Sequence, residues 1–117
     1  MRDPGHPTSR ALADLTRGHG SRLIAVQYDA AIEQSAAKAV SELQEGHGID
    51  HLDIVVANAG IANDFALVKD VKMAEIKEHV QVNILGVVSL YQATRALLQK
   101  SAKPIFAAVG SLTGSLG

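Results

Sequence analysis

No cysteine occurs among the 117 residues. Disulfides, thiolate nucleophiles and cysteine-based zinc sites are therefore excluded. Tryptophan is also absent, and aromatic residues make up only 3% of the chain. A core must then rest on Ala, Val, Leu and Ile, without large aromatic anchors. The formal net charge is -1, and no block of like charges stands out. That pattern points away from nucleic acid and from electrostatic membrane binding. No apolar run is long enough to cross a bilayer. The opening Met1-Arg2-Asp3-Pro4-Gly5 has no signal-peptide apolar core. A cytoplasmic protein with no nucleic-acid or membrane partner is the expectation. His6, His19, His47, His51 and His79 do not cluster, and Gly48 argues against a shared helical face for His47 and His51. No metal site is expected. The Gly-x-Ser-x-Gly elbow of many hydrolases is missing as well.

What is present suits one small α/β domain. The hydrophobic share is 47%, enough for a core at this length. The chain is organised around Asp53-Ile54-Val55-Val56-Ala57, which ends abruptly in Asn58-Ala59-Gly60. Consecutive β-branched residues predict a strand over 52–58 buried on both faces, as in the middle of a parallel sheet. Such a strand needs flanking helices. Thr8 or Ser9 caps a short helix through Ala11, Leu12 and Leu15, ended by Gly18 and Gly20. Residues 22–29 read as a strand. Residues 30–45 read as an Ala-rich helix, stopped by Gly46 and Gly48. Residues 61–70 form a loop. Residues 72–101 read as one long helix bent near Gly86, with Met73, Ile76, Val80, Ile84, Val87, Tyr91 and Leu98 as its apolar stripe. Pro104 blocks further helix, and 105–109 form a third strand before a Gly/Ser-rich tail. The order α-β-α-β-α-β predicts a parallel sheet with crossover helices.

Several positions could carry chemistry, each with a plainer alternative. Asn58, Ala59 and Gly60 fall at the carboxyl edge of a strand, where open α/β sheets hold ligands. Small residues there admit a sugar or base close to the backbone, although a simple turn has the same composition. Asp29 ends the preceding strand. Its carboxylate could accept from an adenine amino group or a ribose hydroxyl, or cap the helix that follows. Asn83 lies inside a helix between apolar neighbours. It either meets a buried partner or water, or faces solvent. Ser111 could orient a carbonyl substrate or start a turn. Gly110, Gly114 and Gly117 fit neither Gly-x-Gly-x-x-Gly nor the P-loop spacing.

Three of these pieces occur in register: Asn58-Ala59-Gly60 after an apolar strand, Val82-Asn83-Ile84-Leu85-Gly86 in a helix, and Gly110-Ser111 after the next strand. Together they resemble the short-chain dehydrogenase/reductase family over nearly the whole chain. Arg2-Asp3-Pro4, Tyr28-Asp29, the segment 97–101 and the tail 110–117 look closest to its fungal norsolorinic-acid-ketoreductase-like branch. The resemblance implies a partial Rossmann-like, doubly wound parallel sheet. It holds the family's third to fifth strands, with the first two and their Gly-rich loop missing. It implies that Asp29 sits by the adenine and that Asn58, Ala59 and Gly60 line the adenosine cleft. It also implies that Asn83 holds a water of the proton relay and that Ser111 bonds the substrate carbonyl. Arg2 would pair with the 2′-phosphate of NADP, since a guanidinium matches phosphate geometry; NADP is thus expected over NAD. The family's Tyr-x-x-x-Lys pair is also absent from 1–117.

The whole stretch 1–117 therefore reads as a single, incomplete NAD(P)-binding domain. The resemblance implies that it is part of an oxidoreductase that reduces a small-molecule ketone, or oxidises a secondary alcohol, by hydride transfer. The alternative is an inactive, shortened relative serving as an interaction module. By resemblance, homo-oligomers form through helix 72–101. In the family's sheet order the two missing strands lie between the strands expected at 22–29 and 52–58. They leave a gap of roughly 14 Å that no hydrogen bond spans. Poor independent stability is expected, with open strand edges.

Overall fold

The computed structural model describes residues 2–3, 5–63 and 66–114, apart from the side chain of Thr113. Its centre is a two-stranded parallel sheet, β1 (Ile54–Ala57) beside β2 (Ile105–Ala108), with Ile54 opposite Ile105 and Ala57 opposite Ala108. The parallel α/β architecture expected from the alternating pattern is therefore present. A helical crossover joins the strands. It consists of α3 (Met73–Val80), a π turn (Gln81–Leu85) and α4 (Gly86–Leu98) in unbroken succession. Near Gly86, where a bend is expected, the helix carries that π turn, which ends at the residue before the glycine. Upstream lie α1 (Pro7–Arg10), which runs into the 3-10 turn Ala11–Asp14, and α2 (Ser35–Ser41), which continues as a second π turn, Glu42–Gly46. Gly48 then adopts φ +67°, a left-handed conformation that costs glycine little, and the Ile49 N–H reaches back to the Leu43 carbonyl at 3.0 Å.

Residues 22–29 depart from expectation. They contain no strand, and the sheet of the described residues has only two members. The segment is held by side chains instead. The Arg22 guanidinium donates to the His47 carbonyl at 3.1 Å, and the Tyr28 hydroxyl donates to the Gly86 carbonyl at 3.2 Å. A strand needs a neighbour to pair with, and among the described residues the two strands pair only with each other. Helix α2 begins at Ser35 rather than Ala30, because 30–34 are taken up by turns.

The core is small and built on aliphatic side chains. Ala36, Ala39, Val40, Ala57, Val82, Leu97 and Leu98 are buried. Helices α2 and α4 pack together, and α4 also packs on both strands. Val55 and Ala57 are the more buried residues of β1, while Phe106 of β2 meets Tyr91 of α4 edge-on, ring centres 5.1 Å apart. Side chains alternate across a strand, so Ile54 and Val56 point the other way and are 60% and 52% exposed. The expectation of a strand buried on both faces is thus corrected: in this chain one face is covered and the other is open. The radius of gyration is 16.4 Å, against about 13 Å for a compact domain of this length.

The edge of β1 is open too. The carbonyls of Asp53 and Ala57 accept from the amides of Ile105 and Val109 at 2.8 and 2.9 Å. By the pleat, the backbone groups of Ile54 and Val56 face the opposite edge, which carries no strand among the described residues. The expected apolar stripe of the long helix is likewise exposed over most of its length. Met73, Ile76, Val80, Ile84 and Tyr91 are all exposed, whereas Leu98 is buried.

At the amino end of β1, the Ser101 hydroxyl donates to Asp53 at 2.5 Å, and His51 lies between Asp50 (2.7 Å) and Asp53 (3.6 Å). The hydrogen bond to Asp50, with the charges of Asp53 and Asp50 behind it, raises the His51 pKa above its ordinary value. The same bond and the His51 charge lower that of Asp50. Both groups are exposed, so solvent screens the pairing.

Candidate active site

Parallel strands place their carboxyl ends on one rim. Asn58 follows β1 and Ser111 lies three residues beyond β2, so both stand at that rim, where α/β folds hold ligands. Beside β1 opens a cavity of about 770 Å³, lined by Asp29, Asn58, Ala59, Gly60, Arg2 and Glu78 among others. It lies between residues 26–31 and β1, along the edge of β1 that carries no strand among the described residues. The structure therefore brings together five of the expected site residues: Arg2, Asp29, Asn58, Ala59 and Gly60. The cavity wall away from the rim is apolar, with Val26, Val40, Leu43, Ile54 and Val56.

Asp29 is positioned by its neighbours. Its Oδ1 accepts from the Ala31 amide at 2.9 Å, and its own amide donates to the Ser35 hydroxyl at 2.8 Å. It therefore caps a turn and also lines the cavity. The preceding Tyr28 anchors the segment to the helix. Burial first, and the Asp29 charge second, raise the Tyr28 pKa, so its hydroxyl keeps the proton it donates to Gly86. Directly above, Ala30 rests on Gly86, where an added Cβ would fall 2.8 Å from the Ala30 carbonyl oxygen. The absent side chain lets 28–30 lie against the helix and delivers Asp29 to the cavity. Arg2 is exposed, and its carbonyl accepts from the Gln27 side chain at 3.1 Å. That contact ties the chain's start to the same segment.

Asn83 occupies the middle of the π turn, a geometry often found at functional sites. Its side chain finds a partner in the backbone: Nδ2 donates to the Ile61 carbonyl at 2.9 Å, and the Ile61 amide donates to Oδ1 at 2.9 Å. A Cβ on Gly60 would lie 3.5 Å from the same Oδ1. Asn83 thus braces the turn that follows Asn58-Ala59-Gly60. Each end of its amide keeps one further bonding position for a water.

Ser111 is exposed and opens the 3-10 turn Leu112–Gly114, its carbonyl accepting from the Gly114 amide at 3.1 Å. It stands at the same rim but not in the cavity wall. Gly117, the last glycine of the tail, lies outside the described residues. Among the described residues no group of three or more His, Cys, Asp or Glu could hold a metal ion, and no helix is long and apolar enough to cross a membrane.

Sequence reasoning missed Glu78 and His79. Asn63 Nδ2 donates to Glu78 Oε2 and the Asn63 amide donates to His79 Nε2, both at 3.2 Å. A signal was available, since His79 precedes Asn83 by four residues and therefore shares its helix face.

A parallel α/β layer with a cavity along one strand, lined at the strand's carboxyl end by a carboxylate and an Asn-Ala-Gly turn, defines an α/β protein of the kind that holds ligands at that rim. The chain belongs to the short chain dehydrogenase family, whose profile matches residues 4–117. It is 47% identical over 94 residues to a norsolorinic acid ketoreductase of Dothistroma septosporum, covering 80% of this chain and 35% of that protein. The chain thus spans about a third of that curated relative's length. A short chain dehydrogenase from Burkholderia cenocepacia, solved in complex with NADP, matches at 31% identity and a TM-score of 0.68, over 80% of this chain and 36% of that one. An NADPH-bound carbonyl reductase from chicken fatty liver superposes with a TM-score of 0.86 at 24% identity, over 98% of this chain and 48% of that one. This last likeness speaks to the fold alone.

Proposed function

We propose that residues 1–117 are part of an NADP-dependent oxidoreductase that reduces a ketone, or oxidises the corresponding alcohol. The observation that supports this reading best is that Arg2, Asp29, Asn58, Ala59 and Gly60 all line one cavity beside β1. Likeness to a ketoreductase and to an NADP-bound dehydrogenase supports it. When bound, the nicotinamide cofactor supplies or accepts the hydride. Asp29 receives hydrogen bonds from the adenosine portion, and the Asn58-Ala59-Gly60 turn lets it approach the backbone. Asn83 holds that turn and offers a site for a relay water. Ser111, at the same rim, orients the carbonyl. The Tyr-x-x-x-Lys pair that donates the proton in this family is not within 1–117, so these residues alone are not expected to turn over.

Titrating NADPH and NADH into the native polypeptide that carries these residues, followed by nicotinamide fluorescence, tests the reading. Arg2→Ala should cost NADPH about tenfold or more in affinity, the worth of a charge-assisted hydrogen bond, and leave NADH little changed. Equal losses for both nucleotides would remove Arg2 from the phosphate site. Absence of binding by either would sink the cofactor assignment.

The exposed stripe of the long helix supports a second element, self-association. Met73, Ile76, Val80, Ile84 and Tyr91 recur at helical spacing, each at least 40% exposed. An apolar stripe of that length on a solvent face marks a contact surface. Ile84→Lys should shift sedimentation towards the monomer; an unchanged sedimentation coefficient would place the contact elsewhere.

A further inference from the structure

The segment after the Asn-Ala-Gly turn lies along the helix in two steps. Ile61 is gripped by Asn83, and Asn63 by Glu78 and His79. The spacings match, because four helical residues rise about 6 Å and two extended residues span about 6.8 Å. The rungs differ in chemistry. Asn83 cannot titrate, whereas His79 can. The His79 ring is also fixed in one tautomer. Nδ1 lies 2.7 Å from the Glu75 carbonyl oxygen, which accepts only, so Nδ1 carries the proton. A neutral ring then presents a bare lone pair at Nε2, which is what the Asn63 amide needs. On protonation Nε2 also becomes a donor, two donors meet at 3.2 Å, and the rung breaks. The charged residues in this network are Glu75 and Glu78 of the ring's own helix; residues 61–63 contribute no titratable side chain, and Asp64 lies outside the described residues.

We propose that neutral His79 is a positioning residue that holds 61–63 against the helix, and that its protonation releases this segment and weakens nucleotide binding at the adjoining Asn58-Ala59-Gly60 turn. The second half rests on the NADP reading above. The first half does not, and the two are separable by experiment.

Amide hydrogen exchange of Asn63 is measured against pH in the native polypeptide, expressed as a protection factor, while the His79 ring signals report its titration. Asn63 protection should fall by about threefold to tenfold as the ring protonates, the worth of one net hydrogen bond. His79→Gln offers an amide oxygen that does not titrate. It should keep the protection and lose the pH dependence. His79→Leu should be unprotected at every pH; if it fails to fold, wild type against His79→Gln carries the comparison. Protection that ignores the ring's titration, or that remains pH-dependent in His79→Gln, overturns the proposal. In parallel, NADPH affinity should fall with the same titration in wild type and stay level in His79→Gln. Binding that is present but pH-independent overturns the link to the site. Absence of NADPH binding at any pH condemns the cofactor reading and with it that link, while the Asn63 amide still decides the role of His79.

Discussion

Gly86→Ala is expected to destabilise the protein by about 1–3 kcal/mol, the usual range for overpacking, although alanine is the better helix former. Two effects oppose each other. In a helix interior, Ala in place of Gly contributes about 1 kcal/mol of intrinsic propensity. Against it, the new Cβ would lie 2.8 Å from the Ala30 carbonyl oxygen and 2.9 Å from its Cβ. Neither neighbour is the far end of a flexible side chain, so the relief must come from backbone movement. Segment 28–30 would lift, breaking the Tyr28 bond to the Gly86 carbonyl and taking Asp29 from the cavity. The steric effect should therefore win, and Gly86→Val should be worse. Denaturant midpoints for both variants, with Tyr28→Phe as control for the lost hydroxyl, provide the measurement. A midpoint for Gly86→Ala at or above wild type would show that Ala30 yields freely and that the contact does not position Asp29.

Leu97→Ala should have the largest effect on folding, about 2–5 kcal/mol. Leu97 is 1% exposed, the largest side chain among the described residues to be so fully enclosed. Its carbonyl also receives the Leu52 amide at 3.2 Å, which ties the end of α4 to the approach of β1. The remaining core is mostly alanine and valine, and small side chains cannot swing in to fill the void. The open edge and bare face of β1 leave little reserve, since whole domains hold only about 5–15 kcal/mol. For 1–117 expressed alone, Leu97→Ala should abolish any cooperative melt seen by circular dichroism, whereas Leu97→Met should cost less than about 1.5 kcal/mol. Equal melting of Leu97→Ala and the parent chain would move the core elsewhere.

Much of this was legible in the residues alone. The β-branched run at 54–56 and the apolar run after Pro104 fall at β1 and β2, since both combine strand-forming side chains with clear punctuation. Parallel pairing followed from the intervening helix, because only a crossover of that length returns the chain to the same edge. That the Asn-Ala-Gly turn, Asp29 and Arg2 share one cleft was implied only by the family resemblance, and all of them line the cavity beside β1. The face presented by the long helix was not legible. A stripe from Met73 to Tyr91 reads the same whether it meets a core or stands in solvent.

Local composition thus settled, to within a few residues, where the main helices and two strands lie, and that Asn58 follows the first of those strands. These properties depend on neighbours within a few positions. Tertiary contacts alone decided that 22–29 stays outside the sheet, since a strand exists only where a second one lies about 4.8 Å away. They also decided that Asn83 spends its amide on Ile61 rather than on solvent, that His79 faces a backbone donor, and that Gly86 is small because Ala30 rests on it. Each of those depends on a residue more than fifteen positions distant, brought near only once the helix has folded back across the strands.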